Sequence, residues 1–175
     1  MKTRILVTSL LVVGAIGVGS LAQAQLDRVS GTLTRTYSIV VDTELTGDVR
    51  CAVADGTPCF SFSVPGVGLR LNGFTVTGKG DSVTGCGGTP TNGEIGISTN
   101  NQSQVTISGP GLVQRFRGHG VLVVGSSNAR VEGLTVSTNC GSGIFATATA
   151  FDTLVQGNTA LRNGSTVPGA ACGGI

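Results

Sequence analysis

Two arginines flank a phenylalanine in Arg115-Phe116-Arg117. On an extended segment that alternation sends both guanidinium groups to one face and the ring to the other. Lys79 falls in the same repeat column as Arg115, so Lys79, Arg115 and Arg117 form a candidate basic stripe. Such a stripe would hold the carboxylates of a polyuronate through charge-assisted hydrogen bonds; a solvated basic face is the alternative role for the same side chains. Groups that would act on such a ligand are not visible. Abstracting a proton beside a carboxylate needs a base and an offsetting cation, and glycoside hydrolysis needs two carboxylates facing one bond. Asp81, Glu94, Glu132 and Asp152 stand singly, and no two aspartates are adjacent. Calcium wants clustered acids and zinc wants closely spaced cysteines and histidines, whereas this chain has scattered acids and one histidine, so no metal or other cofactor and no catalytic residue is expected.

These side chains belong to an exported chain. Lys2 and Arg4 precede an apolar run from Ile5 to Leu21, and Ala22-Gln23-Ala24 is a small-x-small site for signal peptidase, so residues 1–24 read as a signal peptide cleaved after Ala24. Gly14, Gly17 and Gly19 interrupt the run, which argues against a membrane anchor, and no span is expected after cleavage. Losing Lys2 and Arg4 leaves nine basic against nine acidic side chains. A neutral chain generates no global field to draw it to nucleic acid or an anionic membrane, so any charged ligand must be met by a local patch. The expected location is secreted, periplasmic or on the cell surface.

Short apolar stretches recur between glycines. Aligning Leu71, Ile107, Val131 and Val155 gives spacings of 36, 24 and 24 residues, with Gly73, Gly109, Gly133 and Gly157 two positions later and Val76, Leu112, Val136 and Ala160 five positions later. A second marker, glycine before a branched apolar residue, occurs at Gly96-Ile97, Gly120-Val121, Gly143-Ile144 and Gly174-Ile175. Extra length between Gly78 and Glu94 and between Gly164 and Ala171 reads as outward loops. A period near 24 is too short for a propeller blade, and the units lack helix-forming positions, which leaves stacked turns of brief parallel strands. Residues 25–68 are then an N-terminal cap with the first coils, and residues 69–175 the repeats.

Eight positions after the inward column stand Lys79, Arg115, Asn139 and Asn163. The two asparagines predict a corner with a short amide ladder, solvated turn residues being the other reading. Export permits disulfides. Cys51 and Cys59 flank the turn-forming Asp55-Gly56-Thr57-Pro58, which favours a local bridge. Cys140 and Cys172 precede the markers at Ile144 and Ile175 by four and three residues, which places them on successive coils and predicts a bond between them; Cys86 is left unpaired.

From about Tyr37 to Gly164 the order of signals resembles the right-handed parallel β-helix repeat proteins, whose fold is that of the pectate-lyase-like superfamily. The likeness rests on Asp42-Thr43-Glu44-Leu45, Asp48-Val49-Arg50-Cys51, Leu69-Arg70-Leu71-Asn72-Gly73-Phe74-Thr75-Val76, the Gly-Ile markers and the stretch from Gln156 to Asn163. In many relatives a cysteine nearer the N-terminus is placed to partner the one at the position of Cys51, where this chain has Ser30-Gly31-Thr32. The resemblance implies an all-β, right-handed parallel β-helix. The superfamily holds polysaccharide lyases, hydrolases and epimerases as well as non-catalytic surface and periplasmic proteins, so it does not choose an activity.

Gly118-His119-Gly120 is similar to an element of polygalacturonases, but the Asn-Thr-Asp and Asp-Asp elements of that family are absent, and His119 reads as a corner residue inside the repeat marker. Phe145 and Phe151 read as core or corner packing beside Ile144 and Leu154. Two functions remain: a non-catalytic exported solenoid serving as a surface, periplasmic or carbohydrate-contacting scaffold, or a lyase, epimerase or hydrolase acting on acidic glycans whose active-site coils are missing or unrecognised. Because the chain stops at Ile175 on half a marker, without the cap a solenoid end requires, a truncated product is expected. The oligomeric state is left open.

Overall fold

The computed structural model describes residues 25–87, 93–164 and 174–175. The proposed signal peptide, Cys172 and most of the second loop lie outside them. Fifteen strands and no helix occur among the described residues, and every strand pairing is parallel. Most strands are three residues long, with β-branched residues that suit a pleated, half-buried surface.

The strands form three ladders in curled sheets. The long strand β3 (Thr43–Cys51) heads two of them, with β1 (Asp27–Leu33) along its other edge. Its first half pairs with β5 (Gly68–Arg70), followed by β8 (Thr106–Ser108), β11 (Arg130–Glu132) and β14 (Leu154–Gln156). Its second half pairs with β6 (Thr75–Thr77), followed by β9 (Leu112–Gln114), β12 (Thr135–Ser137) and β15 (Thr159–Leu161). The third ladder runs through β2 (Tyr37–Ile39), β4 (Pro58–Phe62), β7 (Ile95–Ser98), β10 (Val121–Val123) and β13 (Ile144–Ala146). Residues 25–68 thus supply the first strands of all three.

Equivalent residues stack in register, which builds the core from columns. Tyr37, Phe60, Ile97, Val121 and Ile144 form one. The hydrogen bonds from Ile97 N to Gly120 O, Val121 N to Gly143 O and Ile144 N to Gly174 O repeat the Gly-Ile marker through its last member. The first-ladder column is Leu69, Ile107, Val131 and Val155, so Leu69 replaces the expected Leu71. The second is Val76, Val113, Val136 and Ala160, so Val113 replaces Leu112. Both corrections have one cause: the turn between the two ladders loses residues from one repeat to the next, and an ungapped alignment forces the difference onto the strands. Leu71 is still fully buried, closing that longer turn.

Corner glycines permit the stacking. Gly133 and Gly157 take left-handed φ of +69° and +63°, and a Cβ on Gly109 would lie 1.9 Å from the Gly133 carbonyl oxygen.

Two disulfides are formed. Cys51 and Cys59 are joined with Cα atoms 5.7 Å apart, and Cys86 is bonded to Cys140 with Cα atoms 4.6 Å apart. The second overturns the expected Cys140–Cys172 bond and the unpaired Cys86. Residues 79–87, the described first part of the loop after Gly78, fold back on the corner, where Gly80 N donates to Arg115 O at 2.7 Å and a Cβ on Gly85 would lie 2.0 Å from Thr138 O.

Candidate functional site

The three expected cations gather at the corner that follows the second ladder, and their surroundings differ. The column three residues after Val76, Val113, Val136 and Ala160 is Lys79, Phe116, Asn139 and Asn163, with Phe116 where Arg115 was expected. The asparagine ladder is present: Asn139 Nδ2 donates to Asn163 Oδ1 at 2.9 Å, and Asn163 Oδ1 also accepts Asn139 N at 3.1 Å. Asn139 Oδ1 accepts Phe116 N at 3.0 Å in the same way. Phe116 is fully buried, as expected of its ring. Residues 115–117 lie beyond the end of β9, and Arg115 turns the corner with φ of +59°.

A cleft of 540 Å³ opens beside this corner, lined by Gly31 and Thr32 of β1, Asp48 and Arg50 of β3, Lys79, Gly80 and Arg115 among others. Arg50 is exposed and in register with Thr77, itself in register with Gln114, so Arg115 comes two strands across the ladder. At ~4.8 Å per strand, the two backbone positions are about 10 Å apart, which leaves room for separate anionic groups of one extended ligand. Arg115 Nε donates to Gly80 O at 3.0 Å, which holds its stem while the group remains unneutralised. Neither Arg50 nor Arg115 forms an ion pair with a described residue. The lining's one carboxylate, Asp48, accepts Thr75 N at 2.8 Å.

Lys79 and Arg117 are engaged otherwise. Arg117 Nε lies 2.8 Å from Oε2 of the fully buried Glu94, and its Nη2 bonds Asp55. Lys79 Nζ lies 2.6 Å from Asp55 Oδ1, and Lys79 N donates to Glu94 Oε1 at 2.7 Å. The hydrogen bond from Lys79, with the charge of Arg117 adding to it, holds the Asp55 carboxyl below the usual range. The hydrogen bond to Glu94 pushes the Arg117 guanidinium up.

The loop forming one cleft wall is tied from within. Asp81 accepts Val83 N, Thr84 N, the Thr84 hydroxyl and Gly87 N at 2.6–2.8 Å. The Thr84 hydroxyl and these N–H groups hold its carboxyl well below the usual range. Glu132 and Asp152 are remote from the cleft lining, and among the described residues no three His, Cys, Asp or Glu side chains converge as a metal site would require.

His119 sits apart. Its Nδ1 accepts Ser142 N at 3.0 Å, its ring stacks on Phe145 at 4.7 Å, and burial pushes its pKa down. The backbone bond holds the imidazole at the corner, which agrees with reading it as part of the repeat. Of the core or corner packing expected for Phe145 and Phe151, Phe145 takes the corner role, 38% exposed with its ring on His119, whereas Phe151 is 63% exposed and pairs through its backbone with Ser127.

Sequence reasoning missed Arg50, Asp55 and Glu94. Arg50 precedes Cys51 on a strand whose outward alternation was readable, and Asp55 lies in the turn closed by the Cys51–Cys59 bridge. Glu94 carried no signal beyond being an acid next to a repeat marker. Comparison with known proteins finds no matching family model, no matching curated protein and no matching solved structure. The fold and the site define a disulfide-bonded, all-β chain of parallel strands in curled sheets with a basic cleft at one corner.

Proposed function

We propose that this chain is an exported right-handed parallel β-helix that holds an acidic polysaccharide in the cleft beside β3 without chemically altering it. The observation that carries this reading is the pair Arg50 and Arg115, two guanidinium groups lining one cleft without an acidic partner among the described residues. Planar guanidinium groups match carboxylates bidentately, and two of them lining one cleft can meet separate carboxylates of one uronate chain. Three parallel ladders whose later pairings lie 23–24 residues apart support the solenoid, parallel crossovers favour the right-handed sense, and the likeness to the pectate-lyase-like superfamily agrees with both. Two disulfides suit an oxidising compartment, and no helix among the described residues is long and apolar enough to cross a membrane. Asp48 alone gives the cleft no second carboxylate for hydrolysis.

The double variant Arg50→Ala, Arg115→Ala is expected to lose at least tenfold in affinity for polygalacturonate, since a hydrogen bond to a charged group contributes about 1.5–3 kcal/mol. Retention on a polygalacturonate matrix at low salt measures this. Retention equal to that of the parent chain rejects the cleft as the site.

A further inference from the structure

Lys79 and Arg117 are arranged as a second carboxylate site, and the chain's own Asp55 sits in it. Arg117 is organised without help from Asp55, whereas the Lys79 ammonium has Asp55 as its described partner. Glu94, fully buried, fixes Arg117 through Nε at 2.8 Å and fixes the Lys79 backbone through its N–H at 2.7 Å. The Arg117 side chain is 15% exposed and that of Lys79 33%, whereas that of Asp55 is 57% exposed. The carboxylate thus approaches from solvent onto a guanidinium that Glu94 already holds, with the Lys79 ammonium meeting it from the neighbouring coil. It is delivered by a turn that the Cys51–Cys59 bridge closes, with Thr57 N and the Thr57 hydroxyl both donating to Ala54 O, at 3.3 and 2.7 Å. Lys79 also lines the cleft of Arg50 and Arg115, which makes the two sites contiguous.

We infer that Asp55 is an internal competitor occupying a carboxylate subsite formed by Lys79 and Arg117, which a uronate of the bound polymer takes over when Asp55 is displaced. This rests on the acidic-polysaccharide reading and adds to it a residue that limits affinity. An exposed ion pair is weak, so a ligand already anchored at Arg50 and Arg115 displaces it readily.

The test compares affinity for an oligogalacturonate among the parent chain, Asp55→Asn, Asp55→Asn with Lys79→Ala, and Glu132→Gln. Glu132 lies in the first ladder and controls for the change in net charge. Asp55→Asn is expected to bind about two- to fivefold more tightly, the range given by freeing an exposed ion pair. Glu132→Gln should match the parent, and adding Lys79→Ala should cancel the gain. In nitrogen-15 spectra of Asp55→Asn, the Arg117 Nε–Hε resonance should move on adding the ligand. If the parent binds and Asp55→Asn binds no tighter, or no tighter than Glu132→Gln, the competitor role is wrong while the acidic-ligand reading stands. If neither the parent nor Asp55→Asn binds, both fall.

Discussion

Glu94→Ala is expected to lower the unfolding free energy by about 3–5 kcal/mol, the usual cost of removing one partner from a buried ion pair. The reason lies in the corner column. Asn139 caps the Phe116 N–H at 3.0 Å and Asn163 caps the Asn139 N–H at 3.1 Å, so each rung's backbone is satisfied by an amide from the next. Above Phe116 that device fails, because a phenyl ring accepts no such bond, and the Lys79 N–H would be orphaned. Glu94 takes the missing amide's place with Oε1 while Oε2 holds Arg117. Alanine leaves the part-buried Lys79 N–H without its partner and Arg117 with Asp55 as its remaining acid. Glu94→Gln should cost less, because its amide oxygen still accepts from Lys79. Urea denaturation with an unchanged slope measures both. A loss below 1 kcal/mol for Glu94→Ala would refute this role.

The second large effect belongs to the Cys86–Cys140 bridge. Its cysteines are 54 residues apart, against 8 for Cys51–Cys59. The chain-entropy relation then assigns about 4 kcal/mol to the longer link and about 2.5 kcal/mol to the shorter. Paired alanine variants are expected to fall in that order in urea, with Cys86→Ala, Cys140→Ala the less stable. The same variant should weaken polygalacturonate retention, because the bridge holds the loop whose Gly80 lines the cleft. The opposite order of stability would show that the bridge serves only the loop.

Columns of branched residues were legible in the sequence wherever the repeats kept one length. Ile107, Val131 and Val155 stack as their spacing implied, as do Val136 with Ala160 and Asn139 with Asn163. Legibility failed where the turns changed length. The extra residue before Val113 placed Phe116, not Arg115, above Asn139, and the longer turn after Leu69 moved the column off Leu71. Cys86 was misread because the excursion after Gly78 looked like an outward loop, whereas glycines at 80 and 85 let it press against Arg115 and Thr138. The site was legible only in part. The basic stripe drew attention to the right corner, but which cations are neutralised depends on Asp55 and Glu94, whose approach is set by tertiary folding and leaves no local pattern.

The most direct measurement is the affinity of the parent chain for polygalacturonate and for its fully methyl-esterified form as salt is raised. If Arg50 and Arg115 hold carboxylates, the acid polymer binds, the ester does not, and the affinity for the acid form falls steeply with ionic strength. Equal binding of both polymers, insensitive to salt, would contradict the account.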